Sequence, residues 1–283
     1  MSADSYRLLD FGDGRKLESL NGYCIDRPSP AAERVRIQSP KLWSNVDAIF
    51  DESNRTWTFH EEWPDSLALD CGPFRMPVRP TPHGHIGLFP EQSDNWVWLA
   101  NASPPDDVCD ALNLFGYTGA STLALVNAGY RVAHVDAAKP NVQAVRAAVA
   151  CNHWDSPPIR YLVDDAAKFA AREVRRGRRY HTIVLDPPAY GHGPTGRAWR
   201  LERDLWPLLD DCLQLMDPSS FRLLITGHSP EVDPKDVIQY LKRTDFYEDS
   251  DRGLLLRSGR SQLKDTHGRS LDAGFYVRVA RQE

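Results

Sequence analysis

The apolar positions change character along the chain. Up to about residue 80 they come in short runs divided by turn chemistry. Arg7-Leu8-Leu9 and Lys16-Leu17-Glu18-Ser19-Leu20 flank Gly12-Asp13-Gly14, which predicts a hairpin. Arg55-Thr56-Trp57-Thr58-Phe59-His60 alternates with period two, as a half-buried strand does. Arg27-Pro28-Ser29-Pro30 and Arg79-Pro80-Thr81-Pro82 break the segment. Residues 1–80 therefore read as a small, mostly β domain.

From about residue 108 apolar runs alternate with helical stretches, the pattern of a doubly wound α/β sheet, and residues 81–283 read as that second domain. Strands are predicted at Ala111–Phe115, Tyr130–Asp136, Ile159–Val163, His181–Asp186 and Phe221–Thr226. Helices are predicted at Ser121–Ala128, Asn141–Cys151, Ala166–Arg175, Leu201–Met216 and Pro234–Leu241. Two further strand-like runs, near Gly253–Arg257 and Gly274–Val279, are joined by a polar turn around His267-Gly268.

Composition narrows the function classes. The 283 residues are 41% hydrophobic and 26% charged, which excludes disordered and fibrous architectures. A formal charge of -5 argues against a generally sticky nucleic-acid protein and leaves room for a local basic groove. Five cysteines, none in a C-x-x-C pair, fit neither a disulfide framework nor a zinc site. His83-Gly84-His85, His192 and His228 lack neighbouring ligands that would complete a metal set, so no metal is expected. No apolar run is long enough for a membrane helix, and the residues from Met1 to Arg7 do not form a secretory signal, so a cytoplasmic protein is expected.

Candidate chemistry lies in the loops after the α/β strands. Phe115-Gly116-Tyr117-Thr118-Gly119-Ala120-Ser121 places two glycines where a strand turns into a helix, which suits a nucleotide-like ligand and equally an ordinary strand-to-helix turn. Asp136, at the end of the second strand, is placed to accept hydrogen bonds from ribose hydroxyls. Asp164-Asp165-Ala166 follows the third strand; an acid there takes a bond from an exocyclic amine or caps the next helix. Asp186-Pro187-Pro188-Ala189-Tyr190-Gly191 is the most specific segment. Its prolines fix the backbone and remove amide donors, so the carboxylate and the carbonyls face an incoming donor, and Tyr190 offers a stacking face.

These four segments, in this order and spacing, resemble the class I S-adenosylmethionine-dependent methyltransferases. More narrowly they are similar to the bacterial large-subunit ribosomal RNA methyltransferases, the branch that includes cytosine-C5 and guanine-N7 enzymes. Gly87-Leu88-Phe89-Pro90-Glu91-Gln92 resembles that branch's segment bordering the cofactor, with proline and glutamate replacing leucine and aspartate. The resemblance covers roughly residues 84–283. It implies a seven-stranded Rossmann-like sheet whose last two strands form an antiparallel edge, with the first 80 residues in the place of a small RNA-binding domain. It also implies S-adenosylmethionine as cofactor, held by Phe89, Gln92, Asn113, Phe115, Gly116, Tyr117, Thr118, Gly119, Asp136, Ala137, Asp164, Asp165, Ala166 and Asp186. Within that set Asp136 takes the ribose and Asp165 the adenine amine. Asp186, Pro187, Pro188 and Tyr190 are the catalytic candidates.

Methylation at cytosine C5 needs a thiolate to add to the ring. The family's cysteine position after the fifth strand holds Thr226-Gly227-His228-Ser229, which favours a base nitrogen as acceptor. RNA is the expected partner. Arg197, Arg200 and Arg203, and Arg252, Arg257, Arg260, Lys264 and Arg269, are candidates for phosphate contact. The run Arg172, Arg175, Arg176, Arg178 and Arg179 reads more simply as a solvated helix end. A silent adaptor that keeps the fold, and a methyltransferase acting on a small molecule or a protein, stay open as alternatives.

Overall fold

The computed structural model describes residues 1–2, 4–102, 104, 109–192, 198–250 and 254–281. Arg197, Arg252 and Gly253 lie outside the described residues, as does the side chain of His192. The chain forms two compact units, each described by itself. One comprises Met1–Val97, Ala150–His153 and Ser261–Ala273; the other comprises Trp98–Val149, Trp154–Arg260 and Gly274–Glu283.

In the first unit, β1 (Tyr6–Gly12) and β2 (Arg15–Leu20) form the predicted hairpin, with Asp13 and Gly14 both at positive φ in its turn. Their sheet continues through β3 (Tyr23–Pro28), β4 (Ala48–Asp51) and β5 (Thr56–Phe59). A second, two-stranded sheet pairs β6 (Ala68–Asp70) with β7 (Arg75–Pro77). Leu8, Phe11 and Ala32 pack with Leu263 and Leu271, so residues late in the chain complete this core. Glu18 and Arg27 pair in full burial, and the neighbouring guanidinium and Lys16 hold the Glu18 carboxyl down at about 2 against its desolvation. Helix α1 (Ser93–Ala100) follows; Trp96 is a core residue, edge-on to Phe74 at 5.7 Å.

The second unit is the α/β sheet. Its strands are β8 (Asp110–Leu114), β9 (Arg131–Asp136), β10 (Ile159–Val163), β11 (Thr182–Leu185), β14 (Phe221–Gly227), β15 (Leu254–Lys264) and β16 (Ser270–Arg281), with a short hairpin of β12 (Tyr190–His192) and β13 (Ala198–Arg200) between β11 and β14. The seven-stranded order is β10-β9-β8-β11-β14-β16-β15. The first five strands are parallel and β16 runs antiparallel to β14, the arrangement the sequence resemblance implied. Helices α2 (Ala120–Asn127), α3 (Lys139–Cys151), α4 (Ala166–Arg175), α5 (Leu201–Leu215), α6 (Pro234–Leu241) and α7 (Asp245–Ser250) complete the fold. One face of the sheet buries Leu112, Val135, Ile183, Leu223 and Val277 against Phe169 of α4 and Leu205, Leu209 and Cys212 of α5.

Two features differ from the sequence expectation. The last two strands run to 11 and 12 residues, well beyond the predicted ends, because they continue from the second unit into the first. The β12–β13 hairpin was not foreseen: only Tyr190-Gly191-His192 and Ala198-Trp199-Arg200 pair, and three-residue strands carry almost no periodic signal.

Candidate active site at the carboxyl edge of the parallel strands

Parallel strands bring the loops after β8, β9, β10 and β11 to one edge, and four of the predicted segments meet there. Beyond β8 the backbone turns through left-handed conformations at Phe115 (φ 58°), Tyr117 (φ 49°) and Gly119 (φ 98°). Two of these are not glycine, so the loop is held in a conformation that L-residues seldom adopt. Gly116 is fixed by contact instead: a Cβ there would meet the His134 ring at 2.5 Å. Gly119 combines positive φ with a close approach to Val145 of α3, 2.8 Å from an added Cβ.

Beneath the loop lies a buried polar chain. Asn113 Nδ2 donates to Thr122 Oγ1 at 2.9 Å, and Thr122 Oγ1 lies 2.9 Å from His134 Nδ1. All three side chains are within 1% of complete burial, so Asn113 supports the loop from below. Burial pushes the His134 imidazole down to about 4, so the ring is neutral near pH 7. Sequence reading did not single out Thr122 or His134. A histidine inside a strand whose neighbours are Ala133 and Val135 was the available signal.

Asp136 closes the loop. Its Oδ2 accepts the Tyr117 amide at 2.9 Å, and its Oδ1 accepts the Ala138 amide at 2.8 Å and Asn141 Nδ2 at 3.0 Å. A carboxylate offers about four acceptor sites, so Oδ2 keeps room for a further donor, as a ribose hydroxyl requires. Ala137, the next residue, is half-buried at the same edge. Asp164 accepts the Asp165 amide at 2.8 Å and pairs with Arg172. Asp165 caps α4, accepting from the Lys168 amide at 3.0 Å, so the capping alternative is realised; Ala166 begins the helix and is buried.

The double-proline turn follows β11. Thr226, on the adjoining strand β14, donates its hydroxyl to Asp186 Oδ1. Pro187 is buried, Pro188 is exposed, and Tyr190 is 55% exposed. Trp199 of β13 donates its indole N–H to the Pro188 carbonyl at 2.8 Å, and its ring lies 4.9 Å from that of Phe115. It therefore ties the proline turn to the glycine loop, a role the sequence did not reveal. Thr226 occupies the position where the family's cysteine was sought. The two cysteines described in this unit, Cys109 and Cys212, are both buried; Cys109 precedes β8 at the opposite edge, and burial raises the Cys212 thiol far above its ordinary value.

Phe89 and Gln92 belong to the first unit. Gln92 is buried and accepts from Asn95 Nδ2 at 2.6 Å, and Phe89 lies 5.3 Å from the His85 ring. Arg269, expected to meet phosphate, instead pairs with Asp10 and Asp265 in that unit. Arg203 pairs with Asp204, and Arg200, Arg203, Arg257, Arg260 and Lys264 are all exposed. His83 accepts from Arg55 Nη2 at 2.8 Å. Among the described residues no group of three or more His, Cys, Asp or Glu side chains is arranged to hold a metal ion.

This strand order and the loops at its carboxyl edge define a class I methyltransferase fold. No protein-family model matches the chain. It is 31% identical to the S-adenosylmethionine-dependent methyltransferase from Agrobacterium tumefaciens whose crystal structure is known, over 99% of this chain and 92% of that one, with a TM-score of 0.89. The chain belongs to the S-adenosylmethionine-dependent methyltransferases. A Streptococcus mutans structure of 15% identity and TM-score 0.75, covering 98% of this chain and 75% of that one, shares the fold. Among curated proteins the chain is similar to the ribosomal RNA large subunit methyltransferase I of Shigella boydii, 26% identical over 212 residues, 66% of this chain and 52% of that protein. It is also similar to that of Alteromonas mediterranea, 30% identical over 109 residues, 38% of this chain and 27% of that protein. The chain thus spans between about a quarter and a half of the length of these two curated relatives.

Proposed function

We propose that this protein transfers a methyl group from S-adenosylmethionine to a nitrogen of a base in ribosomal RNA. The observation that carries the reading is the Asp186-Pro187-Pro188 turn, braced by Thr226 on one side and Trp199 on the other, on an edge whose described residues include no thiol. The residues at that edge suit the cofactor's chemistry. Asp136, Asp164 and Asp186 are half-buried carboxylates that favour a cation and hydroxyl or amine donors, and the glycine loop brings backbone close to a ligand.

When bound, S-adenosylmethionine supplies a methyl carbon already activated by its sulfonium. What the chain must do is orient the acceptor and exclude water. Thr226 fixes one oxygen of Asp186, so the carboxylate is oriented before a substrate arrives. A carboxylate and proline-turn carbonyls accept hydrogen bonds from an amine or imide N–H, which leaves its nitrogen electron-rich toward the methyl. Tyr190 supplies an exposed aromatic face for the base. The similarity to ribosomal RNA methyltransferases supports RNA as the substrate class, with residues 1–80 as a substrate-binding domain.

Isothermal titration with S-adenosylmethionine, followed by tritium transfer to ribosomal RNA and nucleoside mass spectrometry, tests the reading. Saturable binding with label on a methylated base nitrogen is the expected result. Label at carbon C5 would overturn the nitrogen assignment; binding without transfer to RNA would favour the adaptor or another substrate.

A further inference from the structure

The opposite edge of the same sheet carries a second feature that methyl transfer does not use. Where β8, β9 and β10 begin, the surface forms an open cavity of about 450 Å³, lined in part by Asp110 and by Arg131, Arg160, Arg178 and Arg179. Strands of five residues separate this edge from the candidate active site by about 17 Å at 3.3 Å per residue. Among the described residues that line it, four are arginines and one is a carboxylate. Asp110 is already taken by Arg131, Nε to Oδ1 and Nη2 to Oδ2, both at 2.8 Å, a two-pronged contact that fixes Arg131 at the cavity wall. Arg179 is held by the Gln214 carbonyl, a neutral partner that leaves its charge uncompensated. Arg160 and Arg178 are exposed, and their side chains make no hydrogen bond or ion pair among the described residues. The acid near Arg160 is Glu173, whose carboxylate is buried and engaged by the Tyr180 hydroxyl at 2.7 Å and by Arg176 at 2.9 Å.

A solvated helix end would explain Arg172 and Arg176, which pair locally with Asp164 and Glu173. It does not explain the cavity. There the arginines come from three places in the chain, at the starts of β9 and β10 and in the turn before β11, and together they line one concavity in a protein of net charge -5. Planar guanidiniums with several donors match phosphate oxygens, and a cationic ligand would be repelled. We propose that this cavity binds backbone phosphates of the RNA substrate, anchoring a strand on the edge of the sheet opposite the transfer site. The source of the phosphate rests on the RNA reading above; the anion chemistry does not.

The test uses the full chain and the double variant Arg160→Gln/Arg178→Gln. Both positions are exposed, and a thermal melt checks the fold. Affinity for a short, labelled, mixed-sequence RNA is measured by fluorescence anisotropy over a salt series, and binding of inorganic pyrophosphate by isothermal titration. The expected result is weaker RNA binding, with the slope of log affinity against log salt reduced by about two, and loss of pyrophosphate binding. Arg160→Lys/Arg178→Lys should keep most of the slope. Pyrophosphate binding lost with RNA affinity unchanged would overturn the RNA assignment and point to a free nucleotide; no change in either would overturn the site itself. S-adenosylmethionine affinity and tritium transfer, read on the same samples, report separately on the methyltransferase reading.

Discussion

Asp186 is aligned by a hydroxyl that belongs to a different strand. Its replacement separates orientation from binding: Asp186→Ala should lower kcat for transfer at least about a hundredfold, while titration shows cofactor affinity largely retained. An unchanged kcat would remove Asp186 from the chemistry. His134 makes a second residue-scale prediction. Burial lowers its imidazole from 6.5 to about 4, so between those values the unfolded chain binds more protons than the folded one. Stability conferred by keeping this ring neutral is therefore complete above pH 6.5 and falls as the pH drops toward 4, by up to about 3 kcal/mol. Denaturant unfolding of the wild type against His134→Asn should show that slope flattened in the variant. At this scale the sequence was informative where a residue's work is done by its own loop. Asp136 and the double proline were legible because strand-end acids and rigid turns mark sheet edges. Trp199 and Thr226 were not, because each acts on a residue far away in the chain and only the packing of β13 and β14 reveals it.

Among the elements, the glycine loop is the most constrained. Gly119→Ala would force a side chain into a φ of 98° and against Val145, so it should cost about 1–3 kcal/mol. The loss should be read in the melting temperature and in a weaker S-adenosylmethionine titration; a full-affinity variant would show that the loop geometry is not needed for the cofactor. Parallel strands β8 to β11 were found within one or two residues because each is a short, mainly apolar run ending in a turn, buried in β8, β9 and β11 and only half-buried in the edge strand β10. Strands β15 and β16 were cut short. Much of β15 alternates half-buried with exposed positions, and Gly259, between Ser258 and Arg260, and Gly274, at the head of an apolar run, lie where the structure packs them against Tyr276 and His228. A glycine admitted for close approach reads, in sequence, like a break.

For the molecule as a whole, the seven-stranded sheet was legible, but the path of the chain between its two units was not. Leu263 and Leu271 bury themselves on Leu8, Phe11 and Ala32, and Arg269 is neutralised by Asp10. A shortened protein of residues 98–283 should therefore expose those leucines and leave Arg269 with Asp265 alone. Size-exclusion chromatography should show it associating more than the full chain does; an unchanged elution state with an unchanged melt would contradict this.

The same layout bears on how the protein is made. A polypeptide leaving the ribosome in order cannot finish the core around Leu8 and Phe11 until residues 261–273 have emerged. The hairpin is thus obliged to wait for a segment made much later, and in the interval it offers bare apolar surface of the kind that chaperones recognise.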